Sequence, residues 1–352
     1  MEDYKEYKLT EYTTGGGCGC KIAPSVLHQM LQTNIVAPEY ENLLVGNNSM
    51  DDAAAYDLGN GTAMIATTDF FTPIVNDAYD FGRIAAANAI SDVYAMGGTP
   101  VMAIAILSWP LKTLPIAVGQ KVLEGARTIC KEAGIPLAGG HSIDTSEPIF
   151  GLAVNGTCDI KNLKRNNTAK AGNLIFLTKP IGVGIMSAAL KKGVLKEEHY
   201  ELFKTQLVKL NSIGEQLGKI NGVTAMTDVT GFGLGGHLIE MAEGSGLSAE
   251  LIFSNIKIIE GIEEYRAQKI APGATNRNWN GYGHKINIAD TVDTNIINSL
   301  LPDPQTNGGL LIAVDEAQKD IVIELFIKNG LENHIMPIGR MMDKLENVIY
   351  VK

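Results

Sequence analysis

Five aspartates stand where they could hold a metal ion. Each lies at the edge of a predicted element or beside glycine, and they are Asp51, Asp52, Asp69, Asp92 and Asp228. Mg²⁺ prefers oxygen ligands and usually takes one or two carboxylates together with substrate phosphates, so aspartates from separate element ends can converge on one nucleotide-bound metal. Turns and helix caps also favour aspartate, and for each residue alone that role stays open. If the segment around Asp51 and Asp52 is extended, their side chains point to opposite faces.

Asn88 and Asp92 lie four residues apart in an Ala-rich segment, Gly82–Met96, which ends at two glycines. This composition predicts a helix, and the spacing places both side chains on one face. A carboxylate among Ala, Ile and Val needs a partner, because burying it unpaired is costly. A metal, a cation or a helix N-terminus would serve, and so would an ordinary structural hydrogen bond.

The glycine-rich segment after Asp228 permits two functional interpretations. Gly231, Gly233 and Gly236 match the fingerprint of dinucleotide-binding folds, with Glu250 near the expected distance downstream. This pattern would indicate an NAD-type dehydrogenase, although Glu250 sits within its apolar run rather than at its end. Alternatively, the glycines let a helix N-terminus approach a phosphate while Asp228 holds a metal.

Cys18 and Cys20 flank a glycine, directly after the run Gly15–Gly17 and directly before Lys21. Three adjacent glycines predict a loop that orders late or on ligand binding. A nearby cation favours the thiolate, the reactive form of cysteine, and Lys21 could supply that charge or bind a phosphate. A redox dithiol or half of a metal site is the alternative. The other two cysteines are interpreted as buried, inert thiols.

The segment Gly139–Ser142 follows a short apolar run and is predicted to form a turn. Its N–H groups and hydroxyl could bind an anion, but a plain tight turn also fits. No Walker motif is present, because Gly218-Lys219 lacks both the upstream glycine and the following Ser or Thr. ATP would therefore have to be bound by a different fold.

Strands and helices alternate through both halves, which predicts an α/β protein of two domains. The predicted bounds are a flexible arm over 1–48, an α/β domain over 49–158, a linker over 159–172 and a second α/β domain over 173–352. Predicted strands are Thr62–Phe71, Pro100–Leu107, Ile149–Thr157, Leu174–Thr178 and Gly309–Val314. Predicted helices are Pro24–Leu31, Gly82–Met96, Pro115–Glu132, Met186–Lys192 and Leu202–Leu217, and a strand-to-helix transition is predicted over Thr224–Ala242.

Length and composition bound the class of protein. A chain of 352 residues with 45% hydrophobic and 19% charged residues is typical of a two-domain globular protein. A net charge of −10 disfavours nucleic acid as a partner but leaves a small anion open. The most apolar run, Val101–Leu107, is far shorter than the roughly 20 residues of a membrane helix. The start lacks a secretory signal, and four cysteines make no disulfide framework. We expect a reduced, cytoplasmic protein without a membrane partner.

Seven segments together resemble the selenophosphate synthetase family, in order and over nearly the whole chain. They are Gly17–Ile22, Asp51–Ala54, Thr67–Phe71, Asn88–Asp92, Ala138–Ser142, Met226–Gly233 and Asp303–Thr306. Seven ordered matches are more specific than any one of them and favour this family over the dehydrogenase. A non-enzymatic selenium carrier would not need the aspartates, and a thiamin-phosphate kinase of the same fold would lack the Cys-Lys arm.

The resemblance implies a reaction and a fold. ATP, selenide and water would give selenophosphate, orthophosphate and AMP, supplying activated selenium for selenocysteine and selenouridine synthesis. The implied fold is that of aminoimidazole ribonucleotide synthetase, a homodimer through the N-terminal domains with ATP near that interface. Mg²⁺ is the implied cofactor, a role for K⁺ is left open, and so is a transient selenium-delivery protein as partner.

The resemblance also implies roles for individual residues. Cys18 would be the reactive residue, at a place that many relatives fill with selenocysteine, and Lys21 its essential basic neighbour. The implied magnesium ligands are Asp52, Asp92 and Asp228. The implied ATP contacts are Lys21, Ser49, Met50, Asp51, Asp69, Asp92, Gly140, His141 and Ser142. Some relatives carry His where this chain has Thr14, so a general base is not expected there.

Overall fold

A computed structural model describes residues 7–21, 24–31, 40–47 and 50–352. The strands are β1 Leu43–Val45, β2 Ala54–Asp57, β3 Thr62–Phe71, β4 Thr99–Trp109, β5 Leu137–Asp144, β6 Ile149–Asp159, β7 Leu174–Leu177, β8 Val223–Asp228, β9 Ser248–Leu251, β10 Ile286–Ile288, β11 Leu310–Val314, β12 Gly339–Met342 and β13 Ile349–Val351. The helices are α1 Pro24–Leu31, α2 Ala78–Ala95, α3 Ile116–Glu132, α4 Val183–Lys191, α5 Glu197–Val208, α6 Ile213–Gly218, α7 Gly233–Gly244, α8 Ile262–Ala267, α9 Gly273–Tyr282, α10 Thr294–Leu300 and α11 Lys319–Lys328.

The first sheet has the order β1-β2-β3-β6-β4-β5, and among its described strands β4 and β5 are the one pair that runs parallel. Alternate residues of β3 are buried against α2, as expected for a sheet covered on one face. One row of residues crosses the sheet in register, running from Asp69 through Leu152 and Ala105 to Gly140. The opposite face leaves large apolar side chains of β3 and β4 exposed, namely Met64, Phe70, Met102 and Ile104.

The second sheet has the order β10-β13-β9-β12-β7-β11-β8, so β8 is an edge strand paired antiparallel with β11. Helix α2 packs on the first sheet and also contacts β8, α5 and α6. This helix is buried along most of its length because its residues are small or apolar on every side. It therefore joins the two halves and carries polar side chains into the space between β3 and β8.

Most predicted elements lie close to the observed ones, and β3 has the predicted bounds. Helix α2 begins four residues earlier than predicted because the Asp77 side chain accepts the Asp80 N–H and caps it. The predicted helix Leu202–Leu217 is wrong, since α5 and α6 are separated at 209–212. The predicted turn over Gly139–Ser142 is also wrong, because these residues belong to β5. Among the helices of the described ranges, none is long and apolar enough to cross a bilayer.

Candidate active site

The carboxylates of Asp52, Asp92 and Asp228 come together between the two sheets. Asp228 ends β8, Asp92 lies near the C-terminal end of α2, and Asp52 precedes β2 in an irregular segment. Each accepts a hydrogen bond from one hydroxyl: Thr227 to Asp52 at 2.7 Å, Thr67 to Asp92 at 2.5 Å and Ser91 to Asp228 at 2.5 Å. The neutral hydroxyls orient these carboxylates without cancelling their charge.

Burial raises the pKa of all three carboxyls, and repulsion from neighbouring carboxylates adds to the rise. For Asp52 and Asp92 the largest cause is burial, followed by the charge of Asp228. Burial also raises the pKa of Asp228, while the Ser91 hydroxyl, His237 and Lys21 oppose the rise. Three acids that disfavour each other's ionisation in this way provide a site for a cation.

Oxygens without a partner indicate where a cation would fit. Asp51 and Asp52 each have a buried Oδ2 with no hydrogen-bond partner. The segment is not extended, so both side chains turn inward, and Asp51 Oδ1 accepts the Asn166 N–H at 2.7 Å. In the described ranges no three His, Cys, Asp or Glu side chains form a ready-made metal cage. This donor set suits Mg²⁺, which retains waters and substrate phosphates as further ligands.

Lys21 and Asp69 form an ion pair at the edge of this cluster, with Nζ 3.7 Å from Oδ2. The charge of Asp69 is the main reason why the pKa of Lys21 is raised, so the ammonium stays protonated. Asp69 also accepts the Asn88 Nδ2 hydrogen bond at 2.6 Å. Asn88 therefore faces the carboxylates, as its spacing from Asp92 predicts.

Cys18 is 1% exposed, and its thiol donates to Asn88 Oδ1 at 3.3 Å. Burial and the charge of Asp69 raise the pKa of this thiol, against the opposing effects of Lys21 and the Thr306 hydroxyl. In this arrangement Cys18 is held as a neutral thiol. Cys20 closes the same short 3-10 turn, Gly17–Cys20.

Two charged residues hold the glycine arm from opposite sides. Lys191, at the end of α4, donates to the carbonyl oxygens of Thr13, Thr14 and Gly15 at 2.9, 3.1 and 3.2 Å. Glu147, between β5 and β6, accepts from the Thr13 hydroxyl at 3.2 Å and from the Thr14 N–H and hydroxyl at 3.4 and 3.3 Å. The arm thus contacts both halves of the protein.

The segment Asp303–Thr306 anchors the arm to the second half. Thr306 Oγ1 accepts the Cys18 N–H at 3.0 Å. Asp303 Oδ2 accepts the Gly184 N–H at 2.9 Å, and Gln305 Oε1 accepts the N–H groups of Gly182 and Val183 at 3.1 Å. These two side chains satisfy donors at the start of α4 and fix the loop that carries Thr306.

The glycines after Asp228 make room for the arm. A Cβ on Gly231 would lie 2.7 Å from the Cys18 carbonyl oxygen and 3.1 Å from Lys21 Cδ. Gly233 has φ +71° in the left-handed region, where a Cβ would meet the Leu301 carbonyl at 2.5 Å. Strand β8 has no parallel neighbour in the described sheet, and Glu250 pairs with Lys352. The contacts therefore contradict the dinucleotide-binding interpretation.

Not all of the predicted ATP contacts lie together. Gly140 stands in the same row as Asp69 but three strand spacings away, about 14 Å, and His141 and Ser142 follow it on the edge strand β5. Met50 directly precedes Asp51 in the sequence and is 68% exposed. Its carbonyl oxygen accepts a hydrogen bond from the Asn166 side chain. Ser49 lies outside the described residues. The predicted ATP contacts near Asp69 therefore lie together in this chain, whereas those on β5 lie away from them.

Several residues that build the site were not predicted from their chemistry. Four of them lie within the seven segments that carry the resemblance, and this membership was the one sequence signal that could have identified them: Thr67, Ser91, Thr227 and Thr306. Lys191 and Glu147 lie outside every one of those segments. Their roles depend on contacts over more than one hundred residues of sequence.

Two family descriptions match the chain: the N-terminal domain of AIR synthase related protein over 50–158 and its C-terminal domain over 170–352. A selenide, water dikinase of Haemophilus influenzae is 52% identical over 345 residues, which is 98% of each chain. That of Aeromonas hydrophila is 50% identical over 97% of each chain.

The chain belongs to the selenide, water dikinase family. This confirms the predicted family, the kinase-type enzyme class and the function of selenophosphate synthesis.

Solved structures support the family's fold at low sequence identity. The thiamine-monophosphate kinase of Stenotrophomonas maltophilia has a TM-score of 0.63 at 20% identity. The match covers 89% of this chain and 92% of the kinase chain. The E. coli hydrogenase maturation protein HypE has a TM-score of 0.62 at 18% identity, with 89% of each chain covered. The predicted two-domain α/β fold of the selenide, water dikinase is thereby confirmed.

Proposed function

We propose that Cys18, Lys21 and the aspartate cluster carry out the conversion of ATP, selenide and water to selenophosphate, orthophosphate and AMP. The contact of the Cys18 thiol with Asn88, whose amide also binds Asp69, carries this assignment. It brings a chalcogen-bearing side chain to the carboxylates that would face a nucleotide phosphate. The activated selenium would then serve selenocysteine and selenouridine synthesis.

Asp52, Asp92 and Asp228 are proposed to hold Mg²⁺. The mutual repulsion of these carboxyls and the partnerless Asp52 Oδ2 support this assignment. When bound, Mg²⁺ would neutralise phosphate charge, which together with positioning supplies most of the catalysis of phosphoryl transfer. Thr67, Ser91 and Thr227 would keep the ligands oriented through their hydroxyl hydrogen bonds.

Lys21 and Cys18 are proposed to have separate tasks. Lys21 stays charged beside Asp69 and is 39% exposed, so its ammonium can reach a phosphate. Cys18 would handle selenium, because it is the only nucleophilic side chain placed at Asn88 in the described part of the arm. The arm held by Lys191 and Glu147 would exclude bulk water from the reacting groups.

A homodimer is proposed through the exposed face of the first sheet. Phe70 is 50% and Ile104 40% exposed on that face, and contiguous apolar surface of this kind marks protein interfaces. The separation of Gly140–Ser142 from Asp69 favours ATP near such an interface, where β5 of a second copy could contribute. Sedimentation equilibrium of Ile104→Glu tests this, with a shift to monomer expected and an unchanged mass contradicting it.

The remaining assignments stay predictions. Mg²⁺ is the proposed cofactor, a role for K⁺ is left open, and a transient delivery protein would supply selenium to the arm. A cytoplasmic location and the domain bounds 49–158 and 173–352 likewise stay predictions.

An ATP assay with and without selenide, resolving AMP from ADP, tests the proposal. Selenide-dependent AMP is expected from the wild type. Cys18→Ser should lose selenophosphate formation but keep ATP binding, because the aspartates come from other segments and stay in place, and Lys21→Ala should weaken ATP binding as well. Cys20→Ser is the matched control and should be much milder. Equal losses in Cys18→Ser and Cys20→Ser, with a disulfide in the active cycle, would show a dithiol mechanism instead.

A further inference from the structure

A pocket of about 50 Å³ opens beside the active site, behind the loop that carries Thr306. Its lining includes Thr178, Lys179, Lys209, Asn211, Ser212 and Asn329. One water molecule needs roughly 10–15 Å³ of such volume, so several waters or one small ion fit. None of the predicted site residues lines this pocket.

The pocket is lined by two lysines that make no direct contact with a carboxylate in the described part of the chain. Lys179 is 3% exposed, and its ammonium donates to the carbonyls of Lys209 at 2.7 Å and Asn307 at 2.8 Å. Across the ranges that the structure describes, neither Lys179 nor Lys209 forms an ion pair with a carboxylate. What distinguishes Lys179 is that it is almost fully buried while having only carbonyl oxygens as partners.

The electrostatics of neighbouring groups agree with this surplus of charge. The pKa of Lys179 is lowered to about 7, mainly by burial and also by Lys209, while the charge of Asp228 opposes the drop. Burial, Lys209 and Lys257 also lower the pKa of His334. An anion in the pocket would offset the repulsion among these groups and keep Lys179 protonated.

Donors are available for such an anion. An ammonium has three N–H donors, and Lys179 spends two on carbonyls. Thr178 Oγ1 accepts the Leu310 N–H at 2.8 Å, which leaves its hydroxyl hydrogen to donate. Ser212 and Lys209 are exposed at the rim.

We propose that this pocket binds a small inorganic oxyanion of the phosphate class, at a site separate from the aspartate cluster. The two sites share a wall: Asn211 donates to Ser91 at 2.8 Å, and Ser91 donates to Asp228. Orthophosphate, a product of the reaction, has the required size and charge. That role rests on the proposed function, whereas the binding itself does not.

Binding of inorganic phosphate to the full chain, without nucleotide, magnesium or selenide, tests the proposal. Calorimetric titration should show saturable binding that survives Lys21→Ala. Lys179→Gln should weaken it about tenfold or more, as expected for a buried charged hydrogen bond, and the exposed Lys209→Gln by up to about fivefold. Lys344→Gln, an exposed lysine elsewhere, is the matched control and should bind as wild type.

Other outcomes would overturn the proposal. These are the absence of saturable phosphate binding, unchanged affinity in both Lys179→Gln and Lys209→Gln, or loss of binding in Lys21→Ala. Because Lys209 is exposed, its variant keeps the test informative even if Lys179→Gln misfolds. Binding of hydrosulfide but not phosphate would overturn the oxyanion class. Because no reaction is run, failure here is distinguishable from failure of the proposed function.

Discussion

Replacing Thr306 with Val should release the arm while leaving the two sheets folded. Valine has nearly the shape of threonine but lacks the hydroxyl that accepts the Cys18 N–H at 3.0 Å. The same hydroxyl bonds the Cys18 thiol and favours its thiolate. Thr306 and Cys18 are both buried, so water does not replace the lost partner while the arm stays docked.

The expected increase in the undocked fraction of the arm follows from the Cys18 N–H, which loses its acceptor in Thr306→Val. A buried donor left without an acceptor costs about 1–3 kcal/mol, which raises the fraction of undocked arm about 5- to 150-fold. The contacts of Lys191 and Glu147 with the arm remain, so docking is weakened rather than abolished. Thr306→Ser keeps the hydroxyl and should stay near the wild type.

Alkylation of Cys18 by iodoacetamide reports the undocked fraction, because this thiol is 1% exposed when the arm is docked. A Cys20→Ser background makes the modified peptide unambiguous in mass spectrometry. Without nucleotide, Cys18 should react about 5- to 150-fold faster in Thr306→Val than in its parent. The buried Cys130 and Cys158 serve as internal controls and should keep their rates.

Two results would refute this reasoning. Equal Cys18 rates in Thr306→Val and its parent would mean that the Cys18–Thr306 hydrogen bond does not hold the arm. An equal rise at Cys130 and Cys158 would mean that the substitution loosens the whole fold rather than the arm.

The remaining predictions concern the metal, the cofactor and pH. The variants Asp52→Asn, Asp92→Asn and Asp228→Asn should each abolish selenide-dependent AMP formation, and near-normal turnover in all three at low magnesium would contradict the assignment. Asp228→Asn should also raise the melting temperature of the magnesium-free protein, because the charge of Asp228 repels both Asp52 and Asp92. ATP with Mg²⁺ should raise the melting temperature and NAD should not, and the reverse would revive the dehydrogenase. Burial raises the pKa of Asp303 from 3.8 to about 8, so between these pH values the native state holds a proton that the unfolded chain releases. The contribution of Asp303 to the free energy of unfolding therefore falls by about 1.4 kcal/mol per pH unit as pH rises from 3.8 to about 8. Urea melts between about pH 5 and pH 7 should show that slope reduced in Asp303→Asn but kept in the exposed control Asp315→Asn.

The cluster itself could be predicted because its chemistry is local. Asp92 stands four residues from Asn88 on one helix, and Cys18 and Lys21 share one short segment, so spacing singled them out as candidates, while their roles came from the resemblance. Strand β3 was predictable because Thr62–Phe71 is a short, mostly apolar run of β-favouring residues that follows a glycine. Which of the aspartates meet depends on how β8 is placed against α2, and that placement came from the resemblance rather than from spacing.

Other features could not be predicted because they depend on distant contacts. Strand β5 has a polar, glycine-rich sequence and is exposed on both faces, so it lacks the alternation that identifies a strand. Helix α5 ends at Val208 because the backbone of Lys209 is extended, and beyond it the Asn211 amide donates to Ser91 and to the Gly308 carbonyl, contacts that no local pattern predicts. Lys191 is an ordinary lysine in sequence, and only the fold brings it to three carbonyls of the arm.

The hydrogen-bond partners of the carboxylates show why this site favours ligand binding over stability. A fold optimised for stability would pair Asp52, Asp92 and Asp228 with basic residues or replace them with apolar ones. Each instead accepts a hydroxyl hydrogen bond, which fixes its direction and leaves its charge. The ammonium of Lys21 pairs with Asp69 at the edge of the cluster. The cluster therefore leaves its carboxylate oxygens free for an incoming cation, which would offset the burial and repulsion that raise their pKa, and binding that cation should stabilise the same elements that orient Cys18.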